Sequence, residues 1–333
     1  MRVFPSLFVL VLAGCTASET GTPEAATQSV PAPGYVVTTE QTHNRFSRRI
    51  PPVLRVPTGA IVEMHTEEAT GGQLSASSDL ASLETLDFDL IHALTGPVYV
   101  EGAEPGDVLA VTLHSFEVGD WGWAAVISGF GFLADEFTGP YLKIFELEPG
   151  ATSATFSEGV SVPLAPFAGV LGVAPDTDSL LTTIPPRANG GNMDNRHMTA
   201  GTTVYLPVFV EGALFSIGDT HAAQGDGEVS GTAIEAPMQI VLQLDVRKDF
   251  HAIAEPQYET DDYYAVTAFA TTIDEAARKA TRFMIDYLQR VHGMDRTDAY
   301  VLASLAGDLK ISEVVDMPHV LVSMHMPKAV LGM

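Results

Sequence analysis

The chain has 333 residues, of which 46% are hydrophobic, enough to bury a large core in one or two domains. Its formal net charge of −25 argues against a nucleic-acid partner, whose phosphates it would repel, and against adhesion to anionic lipid. Cys15 is the only cysteine, which rules out a disulfide framework and any cysteine nucleophile beyond that position.

In chain order, Met1-Arg2 is followed by the apolar run Phe8-Val9-Leu10-Val11 and then by Leu12-Ala13-Gly14-Cys15. A charged start, a short apolar core and small residues before a cysteine make the pattern of a bacterial lipoprotein signal, residues 1–15, with Cys15 as the lipid-accepting residue. An ordinary secretory signal or an uncleaved anchor is the plainer alternative. Residues 16–34, rich in Ser, Thr, Pro, Ala and Glu, read as a disordered linker. The expectation is an exported protein of the bacterial cell envelope, touching the membrane only through its lipid. The most apolar later run, residues 124–134, is short and broken by Gly129 and Gly131.

Residues 35–333 read as the folded domain. Tyr35-Val36-Val37, Val53-Leu54-Arg55-Val56 and Ala60-Ile61-Val62-Glu63-Met64-His65 are strand-like, and Pro51-Pro52 forbids a helix between them. His43 falls in an intervening loop. Residues 71–90 are small and polar, a long exposed segment or lid. Val98-Tyr99-Val100-Glu101 and the alternating run 107–114 are strands joined by Pro105-Gly106, a type II turn signal. His92 precedes them, either a site residue or a hydrogen-bonded strand-end histidine. Trp121, Trp123, Phe130, Phe132 and Phe137 form a glycine-spaced aromatic stretch, expected as core or as an inter-subunit patch, with the wall of a substrate pocket as the alternative.

Met238 to Val246 places Ile240, Leu242, Leu244 and Val246 on one strand face. A helical period appears only near the end. Thr272 is an N-cap, acids follow in the first turn and Gly293 closes the segment, with Ala276, Ala280, Phe283, Tyr287 and Val291 as the inner stripe. A second helix is expected over residues 298–305 and a returning strand over 319–326.

Chemistry concentrates between Asn189 and Glu235. In an extended segment residues two apart share a side, so Asp219 and His221 of Gly218-Asp219-Thr220-His221-Ala222-Ala223-Gln224-Gly225-Asp226-Gly227-Glu228 project together. Gly225 and Gly227 let the chain turn and return Asp226 and Glu228 to that pair, and the Gly190-Gly191 turn delivers Asp194. Carboxylates with an imidazole suit a divalent ion such as zinc. Ordinary β-turn chemistry explains the same spacing, and neither a calcium loop nor a His-Glu-x-x-His helix is present.

Gly190-Gly191-Asn192-Met193-Asp194, Leu206-Pro207-Val208, the 218–228 motif with Ala233-Ile234-Glu235, and Leu94-Thr95-Gly96-Pro97 through Gly106-Asp107 resemble the acetamidase/formamidase family. The likeness runs in order from about residue 42 to 327. It implies a mainly β, jelly-roll-like β-sandwich with a smaller mixed α/β portion and helices near the C-terminus, a homo-oligomer, and hydrolysis of small amides to ammonia and a carboxylic acid. Cys15 lies in the signal, and no glycine-flanked serine pair or Gly-x-Ser-x-Gly occurs, so metal-activated water is the route left open. By the resemblance, Asp194, Asp219 and His221 are the metal ligands, with His92 and His43 as further candidates. Glu228 is the base, Asp226 and Glu235 assist it, and Gln224 and Asn192 bind substrate. His197 falls outside the shared pattern. The alternatives are a hydrolase of small cyclic amides and a non-catalytic lipoprotein that binds a solute.

Overall fold

The alternation in Met238–Arg247 is realised as a strand whose Ile240, Leu242 and Leu244 are fully buried while Gln239 faces solvent. Repeated along the chain, this pattern builds two nine-stranded sheets in a computed structural model that describes residues 29–333. The lipoprotein signal, Cys15 and the predicted linker up to residue 28 lie outside the described residues. Residues 29–34 enter no helix or strand, and the first strand opens at Tyr35.

The first sheet runs, edge to edge, Tyr35–Val37, Ala60–Thr66, Met238–Arg247, Val108–Val118, Thr203–Pro207, Gln257–Glu259, Tyr263–Ala270, Val320–Pro327 and Asp308–Glu313. The second includes Gly190–Asn192, Phe167–Gly172, Phe215–Ala223, Ile234–Glu235, Trp121–Val126 and Tyr141–Glu146. Val62, Leu113 and Leu242 of one sheet and Val98, Leu171, Phe215 and Ile217 of the other share one core, the sandwich expected from the sequence. Each such side chain contributes about 1.5–3 kcal/mol by leaving water.

The helix Ile273–His292 is capped as read: Thr272 accepts from the Glu275 backbone N–H, and Gly293 ends it in the left-handed region at φ 66°. Its buried stripe is Ala276, Ala280, Met284 and Leu288, with Tyr287 beside it, whereas Val291 is exposed. Steps of four keep Met284 and Leu288 over the first sheet, and Val291 rotates off that face. The helix Arg296–Ala306 begins two residues earlier than expected because the Asp295 side chain caps the Thr297 N–H.

Residues 71–90 are not a structureless lid. They contain the helix Leu80–Glu84, with Asp79 as its cap, and the single turn Phe88–Leu90, pinned by buried Leu74 and Leu83. His43 is not in a loop either, since Thr42–His43 pairs with Leu94–Val100. In the aromatic stretch Trp123 is core, while Phe132 and Phe137 are exposed.

What matters for the site is the strand Phe215–Ala223, buried along its whole length. Phe167–Gly172 takes one edge, setting Phe167 opposite His221. The other edge changes hands: Leu94–Val100 pairs as far as Gly218, and Ile234–Glu235 then sets Glu235 opposite His221. Asp219 sits at that exchange.

Candidate metal centre

The sequence places Asp219 and His221 on an extended strand, yet Asp219 adopts φ 51°, a left-handed conformation in the middle of a sheet. Asp194 at φ 38° and Glu228 at φ 45° do the same. These are three of the five non-glycine residues with positive φ among the described residues. Backbone strain of this kind costs of order 1–3 kcal/mol each and persists where the surroundings hold a side chain to a task. Here it turns three carboxylates inward.

They converge on His221. His221 Nε2 lies 3.0 Å from Glu235 Oε2 and 3.5 Å from Asp219 Oδ1, and His221 Nδ1 lies 3.8 Å from Asp194 Oδ1. His92 Nε2 stands 3.8 Å from Asp219 Oδ2. Gln224 donates through its amide nitrogen to the Asp194 carbonyl at 2.7 Å, so its oxygen faces His221 and accepts from Nδ1–H at 2.8 Å. The proton is thereby placed on Nδ1. Nε2 then turns a lone pair toward two carboxylate oxygens, an arrangement that a proton or a cation must bridge.

Gly169 makes the convergence sterically possible. A Cβ there would overlap Asp194 Oδ1 and lie 2.8 Å from His221 Cε1 and 2.9 Å from the Asp219 carbonyl oxygen.

The residues enclose a cavity of about 120 Å³, with Asp194, Asp219, Glu228, Glu235 and Asp316 as its acids and His92 and His221 as its bases. Among the described residues no Lys or Arg lines it. Leu86, Phe88, Ile91, Trp123, Ile127 and Phe130 supply apolar walls. Burial pushes the carboxyls of Asp194, Glu228, Glu235 and Asp316 up, opposed at Asp194 and Glu235 by the His221 imidazole, while Asp194 raises Glu228 further. Burial would also raise Asp219, but His92 and His221 hold it below the ordinary range. Burial lowers the His221 imidazole, and Glu235 and Asp219 overcome this and raise it well above its ordinary value. Two imidazoles cannot balance five carboxyl groups that are buried together.

A divalent cation fits. Asp219, His221 and Glu235, and likewise Asp194, His221 and Glu228, each bring one ligand atom within 4.8 Å of the others. Asp194 Oδ1, Glu235 Oε2 and His92 Nδ1 are buried without a hydrogen-bond partner among the described residues, as ligand atoms are when the protein alone is counted. Oxygen donors with a neutral imidazole nitrogen suit zinc among other divalent ions.

Several expected residues go elsewhere. Asp226 points out of the cavity and accepts from His197 Nε2–H at 2.9 Å, and burial, which would raise its carboxyl, is outweighed by that histidine. Gly227 at φ 95° followed by Glu228 in the left-handed region breaks the two-residue alternation, sending Asp226 outward and Glu228 inward. His43 is not brought to the cavity either. Its Nδ1–H donates to the Arg45 carbonyl and its Nε2 accepts from Ser216 Oγ, both at 2.8 Å, and burial lowers its pKa to about 4. Gln224 orients the ligands from behind, whereas Asn192 lines the cavity.

Asp316 and Glu313 escaped the sequence reading. Ser312-Glu313-Val314-Val315-Asp316 is buried throughout and docks on the glycine turn through the Gly227 N–H to Ser312 carbonyl bond at 3.0 Å. Two acids, Glu313 and Asp316, flanking a pair of valines were the available signal.

A family model described as Acetamidase/Formamidase family matches residues 35–182 and 177–333. The formamidase of Methylophilus methylotrophus is 25% identical, over 86% of this chain and 88% of its own. An acetamidase structure from Bacillus halodurans aligns with a TM-score of 0.84 at 32% identity, covering 89% of this chain and 98% of that one. A gamma lactamase from Delftia acidovorans aligns with a TM-score of 0.62 at 26% identity, covering 87% and 89%.

Proposed function

Since the chain belongs to the acetamidase/formamidase family and is an amidohydrolase of linear amides, we propose that it hydrolyses short amides such as acetamide or formamide with the help of a divalent cation, zinc in the first instance. The observation that carries the metal dependence is the inward convergence of Asp194, Asp219, Glu228 and Glu235 on His221, with ligand atoms left unpartnered in a buried cavity.

Asp219, His221 and Glu235 would hold the ion, with Asp194 as a further donor. A divalent cation bound there supplies Lewis-acid polarisation of the amide carbonyl and acidification of water. Glu228, whose proton affinity is raised by burial and by Asp194, takes the proton of the attacking water and returns it to the departing amine. Gln224 keeps the His221 proton on Nδ1 and so keeps Nε2 free as a donor. Leu86, Phe88, Ile127 and Phe130 wall the apolar side of the cavity, whose volume of about 120 Å³ favours a small substrate.

Attachment to the cell envelope through Cys15 and assembly into a homo-oligomer belong to the same proposal, supported by residues 1–15 and by the family resemblance respectively. Ammonia release from acetamide and formamide, with a small lactam alongside, tests the substrate. Chelation that abolishes turnover and Zn²⁺ that restores it support the metal, and undiminished turnover after chelation contradicts it.

A further inference from the structure

We propose that Asn192, oriented by Asp316, is the subsite that reads the substrate's amide N–H, an assignment that rests on the amidase reading above. Asn192 is 2% exposed and Asp316 3%, and both line the cavity that holds the acids around His221. Asn192 Nδ2 donates to Asp316 Oδ2 at 2.8 Å. That bond fixes which end of the amide faces which way. Asn192 Oδ1 is then a buried acceptor with no partner among the described residues.

Both residues are held from outside the cavity. The strand Gly190–Asn192 sets Asn192 opposite Val170 in the second sheet. Asp316 follows the edge strand of the first sheet, where its backbone N–H donates to Glu313 Oε2 at 3.1 Å. The second sheet and the segment that follows the first sheet's edge strand thus meet at this pair. Moreover, an unpaired buried acceptor is costly unless something donates to it, and an N–H of a molecule bound in the cavity can do so.

Asn192 Oδ1 repels a carbonyl oxygen and attracts an N–H, so it dictates the direction in which an amide enters. Nitrogen faces Asn192, the carbonyl faces the His221 cluster, and the acyl group is left to the apolar walls. Amides that keep an N–H satisfy the acceptor. Tertiary amides and esters of the same shape leave it bare, and sites built to bond a substrate N–H reject analogues that lack one. Asp316 acts here as a positioning residue, through the bond it accepts from Asn192 Nδ2.

The experiment compares acetamide as substrate with N,N-dimethylacetamide as competitive inhibitor, in the full-length protein and in its Asn192→Ala and Asp316→Ala variants, with metal content measured on each. The wild type should favour acetamide. In Asn192→Ala the KM for acetamide should rise about tenfold or more while the inhibition constant of N,N-dimethylacetamide and the metal content stay as they were. Asp316→Ala should lose part of the same discrimination although Asn192 remains, which a space-filling Asn192 would not produce. Equal effects on the two amides, or loss of metal from Asn192→Ala, overturn the assignment. If either variant fails to fold, the wild type's ranking of acetamide, N-methylacetamide and N,N-dimethylacetamide decides, and no step at the loss of the last N–H refutes it. A wild type that releases no ammonia from any short amide sinks the amidase reading itself, whereas turnover with unchanged discrimination in Asn192→Ala sinks this assignment alone.

Discussion

Gln224 Oε1 accepts from His221 Nδ1 at 2.8 Å while the Gln224 amide nitrogen donates to the Asp194 carbonyl at 2.7 Å, so one side chain fixes the tautomer of the central imidazole and the loop that carries its neighbour. Groups placed behind metal ligands in this way typically govern affinity or activity by 10–100-fold, taken as an order of magnitude. Gln224→Leu, close in size and without the bonds, should lower metal affinity by about tenfold or more and leave the melting temperature nearly unchanged. Titration of the apo protein with Zn²⁺ measures it, and wild-type affinity would show that the imidazole needs no such support.

The His197–Asp226 pair binds the turn that carries Glu228 to the loop that carries Asp194, although neither partner lines the cavity. Asp226→Asn and His197→Gln should each reduce kcat several-fold with little change in KM, and the double variant should be no worse than the worse single. Abolition of turnover by Asp226→Asn, with His197→Gln fully active, would instead give Asp226 a direct chemical role.

Gly169→Ala tests the steric basis of the cluster. The added methyl meets Asp194 Oδ1 and His221 Cε1, and overpacking of this kind costs about 1–3 kcal/mol. The variant should fold with a lowered melting temperature and bind metal poorly. Wild-type metal content would mean that the strand relaxes around the methyl.

Two histidines outside the cavity set a pH dependence of stability. Burial lowers His43 to about 4 and His325 to about 3, and His325 Nε2 accepts from Tyr258 Oη at 2.6 Å. Both are neutral in folded and unfolded chains above about pH 6.5 and contribute nothing there. Below that value the unfolded chain takes up the proton first, so stability is lost as pH falls toward 4 for His43 and toward 3 for His325. The penalty for His43 is on the order of 3 kcal/mol when complete. Urea unfolding of wild type and His43→Gln should therefore converge as pH drops from 7 to 4, and parallel curves would contradict the assignment.

Much of this was legible in the sequence, and the residues show why the rest was not. Strand alternation in Met238–Arg247 and the caps at Thr272 and Gly293 are local signals, and they held. The pairing of Asp219 with His221 held for a different reason than spacing: Asp219 leaves the extended region and still reaches the imidazole. The same left-handed geometry at Gly227 and Glu228 separated Asp226 from Glu228, because a rule for extended chain does not apply where φ is positive. Asp316 is remote in sequence from the motif it joins, and only the packing of residues 312–316 on the glycine turn brings it to Asn192.

Metal content of the purified protein, measured by elemental analysis alongside ammonia release for wild type, Asp219→Ala and His221→Ala, tests the central claim most directly. A tightly bound divalent ion in the wild type, lost together with turnover in both variants while the circular dichroism spectrum is kept, is the predicted result. Full acetamide hydrolysis by a wild-type protein carrying no metal would contradict it.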